Sequence, residues 1–373
     1  MEIRKLKLVN FRNYGNIEIN FNKKNTIFIG NNAQGKTNIL ESIYVLGLTK
    51  SFFNVNERNL IKFKEDYTKI YGNIINNNIE SKLEILINEK GKKVKVNNQE
   101  VKKLSNYISR LNVIIFSPDN IRLLKESPSF RRKYLNIEIS QLFSDYIRIL
   151  NEFNTILKQR NEYLKIISNK CKCDYDYLDV IDRKYAQLSV DIYIYRKKFI
   201  DMINDNLSIY YEHISGYSNL FVKYISNIDY DSDLNVMYDK FYDKVKNNYD
   251  RDLYYRISNL GPHRDDFKIE LDDKDILLYG SQGQVRCSII AFKFAEIPIF
   301  NKLLGISPIL LLDDIFSELD IDKKKKIISF LPNNIQTIIT TTDLNMIDIS
   351  LFNDIEVYVV NNGNINNYIE GND

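Results

Sequence analysis

Along this chain the order of apolar and polar residues changes character twice. Near the start, "EIRKLKLVNFRNY" and "NIEINF" alternate the two kinds, the period of strands with one buried face. "NTIFIG" is an apolar run that closes on Gly30, as a strand buried on both faces does. "KTNILESIYVLGL" then spaces its apolar residues three and four apart and predicts a helix. Between Asn54 and Val101, strand-like pieces alternate with "NNN", "EKGKK" and "NNQ", the turn chemistry of a β-rich lobe. "NVIIFSP" reads as another buried strand, closed by Pro118.

The second texture begins after Pro128. Residues 129–168 run without Gly or Pro and keep helical spacing throughout. A polar turn over 169–176 precedes a second helical stretch from Leu178 to about Ile214. Two helices of roughly 35–40 residues would each be about 50–60 Å long. They predict an antiparallel hairpin inserted into an α/β domain.

Strand character returns at "RISNLGPHRDDFKIEL". A helix follows Ser281, and "SPILLLDDIFSELD", "NIQTIITTTD" and "DIEVYVVNNGNI" each hold a further strand. Strands alternating with helices at both ends predict an α/β fold with a mostly parallel sheet. The expected division is a head domain in two parts, 1–125 and 256–373, around a helical subdomain at 126–255.

Composition narrows the class. At 44% hydrophobic and 27% charged, 373 residues describe a folded chain rather than a disordered one. No apolar run approaches the roughly 18 residues of a membrane span, and the start lacks a signal-peptide core. A cytoplasmic location with no membrane partner is expected. Three cysteines argue against a disulfide framework. Cys171 and Cys173 form a C-x-C, but the two histidines lie far from it in sequence, so the pair reads as unliganded thiols.

Charge is unevenly spread. Residues 1–135 carry 25 Lys or Arg against 12 Asp or Glu, a net +13, and residues 136–373 carry 27 against 37, a net −10. Clustered cations displace counterions from a phosphate backbone, so the basic third favours a nucleic-acid partner. Lysines scattered over solvated faces are the alternative.

The chemistry concentrates in four places. Gly30-Asn31-Asn32-Ala33-Gln34-Gly35-Lys36-Thr37 fits G-x-x-x-x-G-K-[ST] between a strand and a helix. Its glycines let backbone N–H groups approach phosphates, Lys36 reaches β/γ oxygens, and Thr37 can ligand Mg²⁺. "ILLLDD" ends a buried strand in two acids, Asp313 to hold Mg²⁺ with Thr37 and Asp314 to polarise the attacking water. Ser281-Gln282-Gly283-Gln284 opens a helix, whose N-terminus favours anions. "SELD", Ser317 to Asp320, follows the acids.

That ordered set is similar to the motifs of ABC-type ATPases. In that class Ser281 and its helix end serve the nucleotide held by another subunit's P-loop, and Ser317 to Asp320 cross the same interface. Two further stretches, "FSPDNIRLLKESPSFRRKYLN" (116–136) and "GPHRDDF" (261–267), with the opening "LKLVNFRNY", closely resemble signatures of the RecF family, from residue 1 to about 345. RecF proteins resemble SMC heads with a short helical subdomain in place of the long coiled coil.

The resemblance implies ATP and Mg²⁺ as ligands and slow, DNA-stimulated ATP hydrolysis. It also implies an ATP-dependent homodimer on double-stranded DNA and at single-strand/double-strand junctions. RecO, RecR and RecA are the implied partners, with RecA placed at single-strand gaps. An ABC-transporter ATPase subunit and a non-hydrolysing SMC-like DNA-binding scaffold are the alternatives; "GPHRDD" and "SPSFRRKYL" favour repair over transport.

Some positions depart from these patterns. Asp314 is one methylene shorter than the Glu of many ABC ATPases, as it is across RecF proteins. "TTTD" stands where a switch histidine usually follows, leaving Thr342 or Asp343 as its replacement. Glu126 and Asn136 replace the family's usual Gly and Asp. Arg12 is either a residue that approaches the nucleotide or a surface arginine. Arg131, Arg132 and Lys133 are either DNA contacts or packing residues. His263 and Arg264 read as buried structural residues or as site residues, and "KKKK" at 323–326 as a solvated helix face.

Overall fold

The computed structural model describes residues 1–53, 55–169, 174–317, 319–352 and 354–368. Cys171, Cys173 and Glu318 lie outside the described residues. In chain order, β1 (Glu2–Phe11) and β2 (Tyr14–Asn20) form a hairpin, and β3 (Asn25–Ile29) leads through the Gly30 loop into α1 (Lys36–Leu48). β4 (Tyr67–Asn76), β5 (Ile79–Asn88), β6 (Gly91–Val96) and β7 (Gln99–Glu100) make an antiparallel meander before β8 (Val113–Phe116).

Next come α2 (Arg122–Lys125), α3 (Pro128–Leu142), α4 (Ser144–Asn169) and α5 (Tyr175–Ser215). They are followed by β9 (Leu220–Ile225), α6 (Leu234–Asn247), α7 (Tyr249–Tyr255), β10 (Asp266–Leu271), β11 (Lys274–Asp275) and α8 (Ile276–Tyr279). α9 (Gln282–Leu304), β12 (Ile309–Asp313), α10 (Ile321–Ser329), β13 (Thr337–Thr341), β14 (Ile355–Asn361) and β15 (Asn364–Asn367) complete the chain.

Two compact units divide these elements. The first, a head, holds Met1–Ile121, Ile209–Ser218 and Gly283–Asp373; the second, mostly helical, holds Arg122–Ser208 and Asn219–Gln282. Among the described residues no helix is long and apolar enough to cross a membrane.

The head has two six-stranded sheets. One is antiparallel, ordered β2-β1-β4-β5-β6-β7, and its strands alternate as the sequence predicts: Leu6 and Leu8, Ile70 and Ile74, Leu83, Ile85 and Ile87 are buried. The other is ordered β15-β14-β3-β13-β12-β8 and is parallel apart from β15. β12 and β13 are buried along their whole length because both faces are covered, β12 by an apolar run that ends in Asp313 and β13 with three threonines among its five residues. Helix α1 lies against strands of both sheets, which is why it buries 11 of its 13 residues. Register sets the site: Ile29 pairs with Thr341, Phe28 with Thr340, and Thr340 with Asp313, so three strands end at one level. In open α/β sheets ligands bind beyond those carboxyl ends.

The helical unit departs from the simple hairpin. The stretch expected as one helix over 129–168 is two, because Phe143 adopts extended backbone (φ −128°, ψ 107°) between α3 and α4. Its ring packs edge-on against Tyr195 of α5 and beneath Lys198, a tertiary contact that the helical periodicity does not reveal. The second helix runs to Ser215, as expected. Beyond it, β9 pairs antiparallel with β10, a strand whose partner lies about 40 residues away and whose "LFVKYI" alternates over only six residues.

Candidate nucleotide site

The loop from Gly30 to Thr37 is fixed from below and from both flanks. Gly30 cannot carry a side chain, since a Cβ there would meet the Val360 carbonyl oxygen at 2.3 Å. Gly35 adopts φ +114°, and a Cβ would strike Asn13 Nδ2 at 2.5 Å and Tyr14 Oη at 2.8 Å. Both of those residues grip the loop from the β1–β2 turn: Asn13 Nδ2 donates to Gln34 O (3.1 Å) and Tyr14 Oη–H to Gly35 O (3.0 Å). On the other flank the β14–β15 turn donates Asn362 N–H to Gln34 Oε1 (2.6 Å) and Gly363 N–H to Gln34 O (3.3 Å). No side chain caps α1, which leaves its first turn available to an anion.

Lys36 Nζ donates to the carbonyls of Gly30 (2.5 Å) and Asn31 (2.9 Å), so the cation is folded back over its own loop. No carboxylate pairs with it at ion-pair distance among the described residues. Burial lowers its pKa, and Asp314 and Asp313 partly oppose that. Asp313 is buried, and its Oδ1 accepts the hydroxyls of Thr37 and Thr340, each at 2.8 Å. Burial raises the Asp313 pKa, while the two hydroxyls pull it down.

Asp314 turns the chain with φ +47°, its N–H bound to Thr340 O (3.2 Å) and Oγ1 (3.1 Å). Its Oδ1 is buried and has no hydrogen-bond partner, a costly state for a carboxylate oxygen unless a ligand or water completes it.

Asn32, Ala33, Gly35, Lys36, Thr37, Asn38, Asp313, Asp314 and Thr340 line a polar cavity of about 160 Å³. Small-molecule clefts start at roughly 300 Å³; this volume suits a chain of phosphates, with base and sugar beyond it. No group of three or more His, Cys, Asp or Glu among the described residues could hold a metal. A hard cation here must therefore add phosphate and water oxygens to Thr37 and Asp313, the habit of Mg²⁺. The donor set fits it.

The remaining predicted residues divide between the surface and bonds made within the fold. Ser281, Gln282 and Gly283 are exposed at the start of α9 and Gln284 is half-buried, next to an exposed Leu278 and Tyr279. Asp320 caps α10 through Lys323 N–H (2.9 Å) and pairs with Lys323 Nζ, while Ser317 Oγ donates to Asp314 O (2.8 Å). Asp343 caps the turn after β13 by accepting Asn345 N–H at 2.9 Å. Arg12 is bound within the fold too: its guanidinium forks onto buried Glu41 at 2.7 and 2.6 Å and donates to Asn59 O at 2.8 Å. That pair anchors the turn bearing Asn13 and Tyr14.

In the helical unit, Arg131 forks onto Asp266 at 2.6 and 2.9 Å, and Arg132 donates to Asp265 O at 2.8 Å. Arg196 reaches Pro262 O (2.6 Å), Asp265 (3.4 Å) and Asn136 (3.1 Å). The stretches "SFRRKYLN" and "GPHRDDF" are thus one packed polar network. His263 sits beside it, its Nε2 against Ser258 O at 2.9 Å, with a pKa lowered to about 4 by burial; Arg264 is exposed.

Sequence reasoning missed Asn13, Tyr14, Thr340 and the Asn362–Gly363 turn. Only "RNY" near the start and "TTTD" at a strand end drew attention to their neighbourhoods, and neither spacing predicts the contact made.

The RecF/RecN/SMC N-terminal domain family matches residues 2–366. The DNA replication and repair protein RecF of Enterococcus faecalis is 37% identical over 369 residues, 98% of each chain. RecF of Staphylococcus carnosus is 35% identical, covering 98% of this chain and all of its own. Among solved structures, the recombination mediator protein RecF with ATP, of the RecFOR pathway, superposes with a TM-score of 0.91 at 31% identity over 98% of this chain and 97% of that one. An SMC head bound to the C-terminal winged-helix domain of ScpA shares the fold alone, at TM-score 0.54 and 16% identity. With its P-loop, acidic strand end and inserted helical unit matched along nearly its whole length, the chain belongs to the RecF family of DNA replication and repair proteins.

Proposed function

We propose that this chain binds ATP with Mg²⁺ at the Gly30–Thr37 loop, dimerises on DNA in that state, and hydrolyses ATP slowly as a reset. The observation that carries the reading is the meeting of Lys36, Thr37, Asp313 and the unpartnered Asp314 Oδ1 around one polar cavity. In it, Lys36 leaves its two carbonyls for the β/γ oxygens, and backbone N–H groups from Asn31 to Thr37 hold the phosphates. Thr37 and Asp313 would hold Mg²⁺, which when bound would supply charge neutralisation on the phosphates. Asp314 accepts a proton from water as its oxygen attacks the γ-phosphorus, the bridging P–O bond breaks, and ADP and phosphate form. Arg12 contributes through the turn that it anchors on Glu41.

The helix start at Ser281–Gln284, exposed at Ser281, Gln282 and Gly283, supports a site completed by a second copy of this chain, whose P-loop phosphates it would meet. The relative solved with ATP supports the nucleotide, and its RecFOR context supports RecO and RecR as partners in placing RecA at gaps. The basic amino-terminal third supports double-stranded DNA and junctions as the polyanion. Such work belongs in the cytoplasm.

Sizing the protein with and without ATP, and with and without duplex DNA, tests this reading. A dimer is expected only with ATP, strengthened by DNA, and Lys36→Met should stay monomeric; a nucleotide-independent size overturns it. The shared site has its own test. Lys36→Met and Ser281→Arg should each be inactive, yet regain some ATPase when mixed on DNA, since a mixed dimer has one intact site. Failure of a tethered mixed pair that does dimerise, while a tether damaged at only one Ser281 is active, counts against sharing.

A further inference from the structure

The residue that orders both acids is Thr340, at the end of β13. Its hydroxyl is fully buried and makes two bonds of opposite sense: Oγ1–H donates to Asp313 Oδ1 at 2.8 Å, and the same oxygen accepts the Asp314 N–H at 3.1 Å. One group therefore touches the carboxylate of the first acid and the backbone of the second. The parallel register, Asp313 opposite Thr340, makes this possible without distorting either strand.

Two consequences follow. Asp313 Oδ1 is occupied by hydroxyl donors, and no hydrogen bond among the described residues reaches its Oδ2, which leaves that oxygen for a cation. Asp314 is held at φ +47°, a left-handed turn that an Asp tolerates when its amide is fixed, and its Oδ1 stays buried without a partner. The other donor to Asp313 Oδ1 is Thr37, the hydroxyl that would turn toward a bound Mg²⁺. Once Thr37 leaves, Thr340 is the remaining hydroxyl on that oxygen. With nucleotide and metal bound, its share in holding Asp313 would be the larger.

We infer that Thr340 is a positioning residue that couples metal binding at Asp313 to the placement of Asp314. The inference rests on the nucleotide reading proposed above. Outer groups that orient a metal ligand typically control affinity by 10–100-fold, and a hydroxyl replaced by the isosteric valine removes the donor without emptying the space.

The test is ATP affinity, measured by calorimetry with Mg²⁺ and with EDTA, on the full chain and on Thr340→Val and Thr340→Ser. Wild type should bind more tightly with Mg²⁺. Thr340→Val should lose about tenfold of that gain while keeping wild-type affinity in EDTA, and Thr340→Ser should restore the gain to within about threefold. Thr340→Val with a wild-type Mg²⁺ gain overturns the inference, as does equal weakening in both buffers or a serine no better than valine. If Thr340→Val does not fold, Thr340→Ser and Thr340→Cys decide by the same comparison, since cysteine is only a weak donor. A wild type whose ATP binding ignores Mg²⁺, or that binds no ATP, fails the nucleotide reading itself and takes this inference with it.

Discussion

Two Asp–Asp pairs of this chain look alike in sequence and are used in opposite ways. Asp265-Asp266 meets arginines: Arg131 forks onto Asp266, and Arg196 reaches Asp265 together with Tyr224. Asp313-Asp314 meets two hydroxyls and a backbone amide; each pair keeps one buried carboxylate oxygen without a hydrogen-bond partner, Asp265 Oδ1 and Asp314 Oδ1, so the difference lies in the guanidinium groups that only the first pair meets. Both first acids are buried, and burial raises both pKa values; a guanidinium opposes it at Asp265 and two threonine hydroxyls at Asp313. A pair answered by fixed cations has its charge balanced within the fold and serves packing. A pair left short of positive charge has room for a cation from outside. The same contrast separates Arg131, bound to a carboxylate, from Lys36, bound to carbonyls that it can leave.

Substituting one acid in each pair should break this contrast most visibly. Asp314→Asn should lower single-turnover hydrolysis by about 10²–10⁴-fold, the worth of a general base, while ATP binding and the melting temperature stay near wild type. Asparagine accepts the left-handed backbone at 314, so a collapsed fold would show that Asp314 is structural after all. Asp266→Asn should do the reverse. It strands Arg131 in a largely buried site and should cost about 3 kcal/mol of stability in denaturant titrations, with ATP affinity unchanged. A stable Asp266→Asn protein that no longer binds ATP would erase the distinction.

The pH dependence sharpens it further. His263 is neutral in the fold, with a pKa near 4 against 6.5 for a free side chain, because burial disfavours its charge. The unfolded chain binds the proton first as pH falls, so stability is full above about 6.5 and declines toward pH 4. The loss should reach about 3 kcal/mol, and His263→Asn should flatten that part of the profile. An unchanged profile in the variant assigns the acid loss elsewhere. The smallest effect should come from Tyr14→Phe, which removes one buried bond to Gly35 O, worth about 1 kcal/mol. ATP affinity should fall about fivefold, with no effect on the helical unit's acid transition.

Elements whose reasons are local can be read along the chain. The P-loop is a strand, a glycine-bearing turn and a helix in unbroken order, and α1 begins and ends where "KTNILESIYVLGL" does. The buried strands before Gly30 and Asp314 are apolar because both faces are covered, and composition alone reveals that. Helical periodicity revealed α5 but not the break at Phe143, since the ring that draws Phe143 out of the helix belongs to Tyr195. Which polar groups answer each other is set by contacts between distant parts of the chain. Thr37 and Asp313 are 276 residues apart, Arg131 and Asp266 are 135, and Thr340 joins the acids through strand register. Spacing along a chain fixes which face a side chain takes. Whether a buried acid is neutralised depends on distant partners, and that is what divides a packed carboxylate from one left open to a ligand.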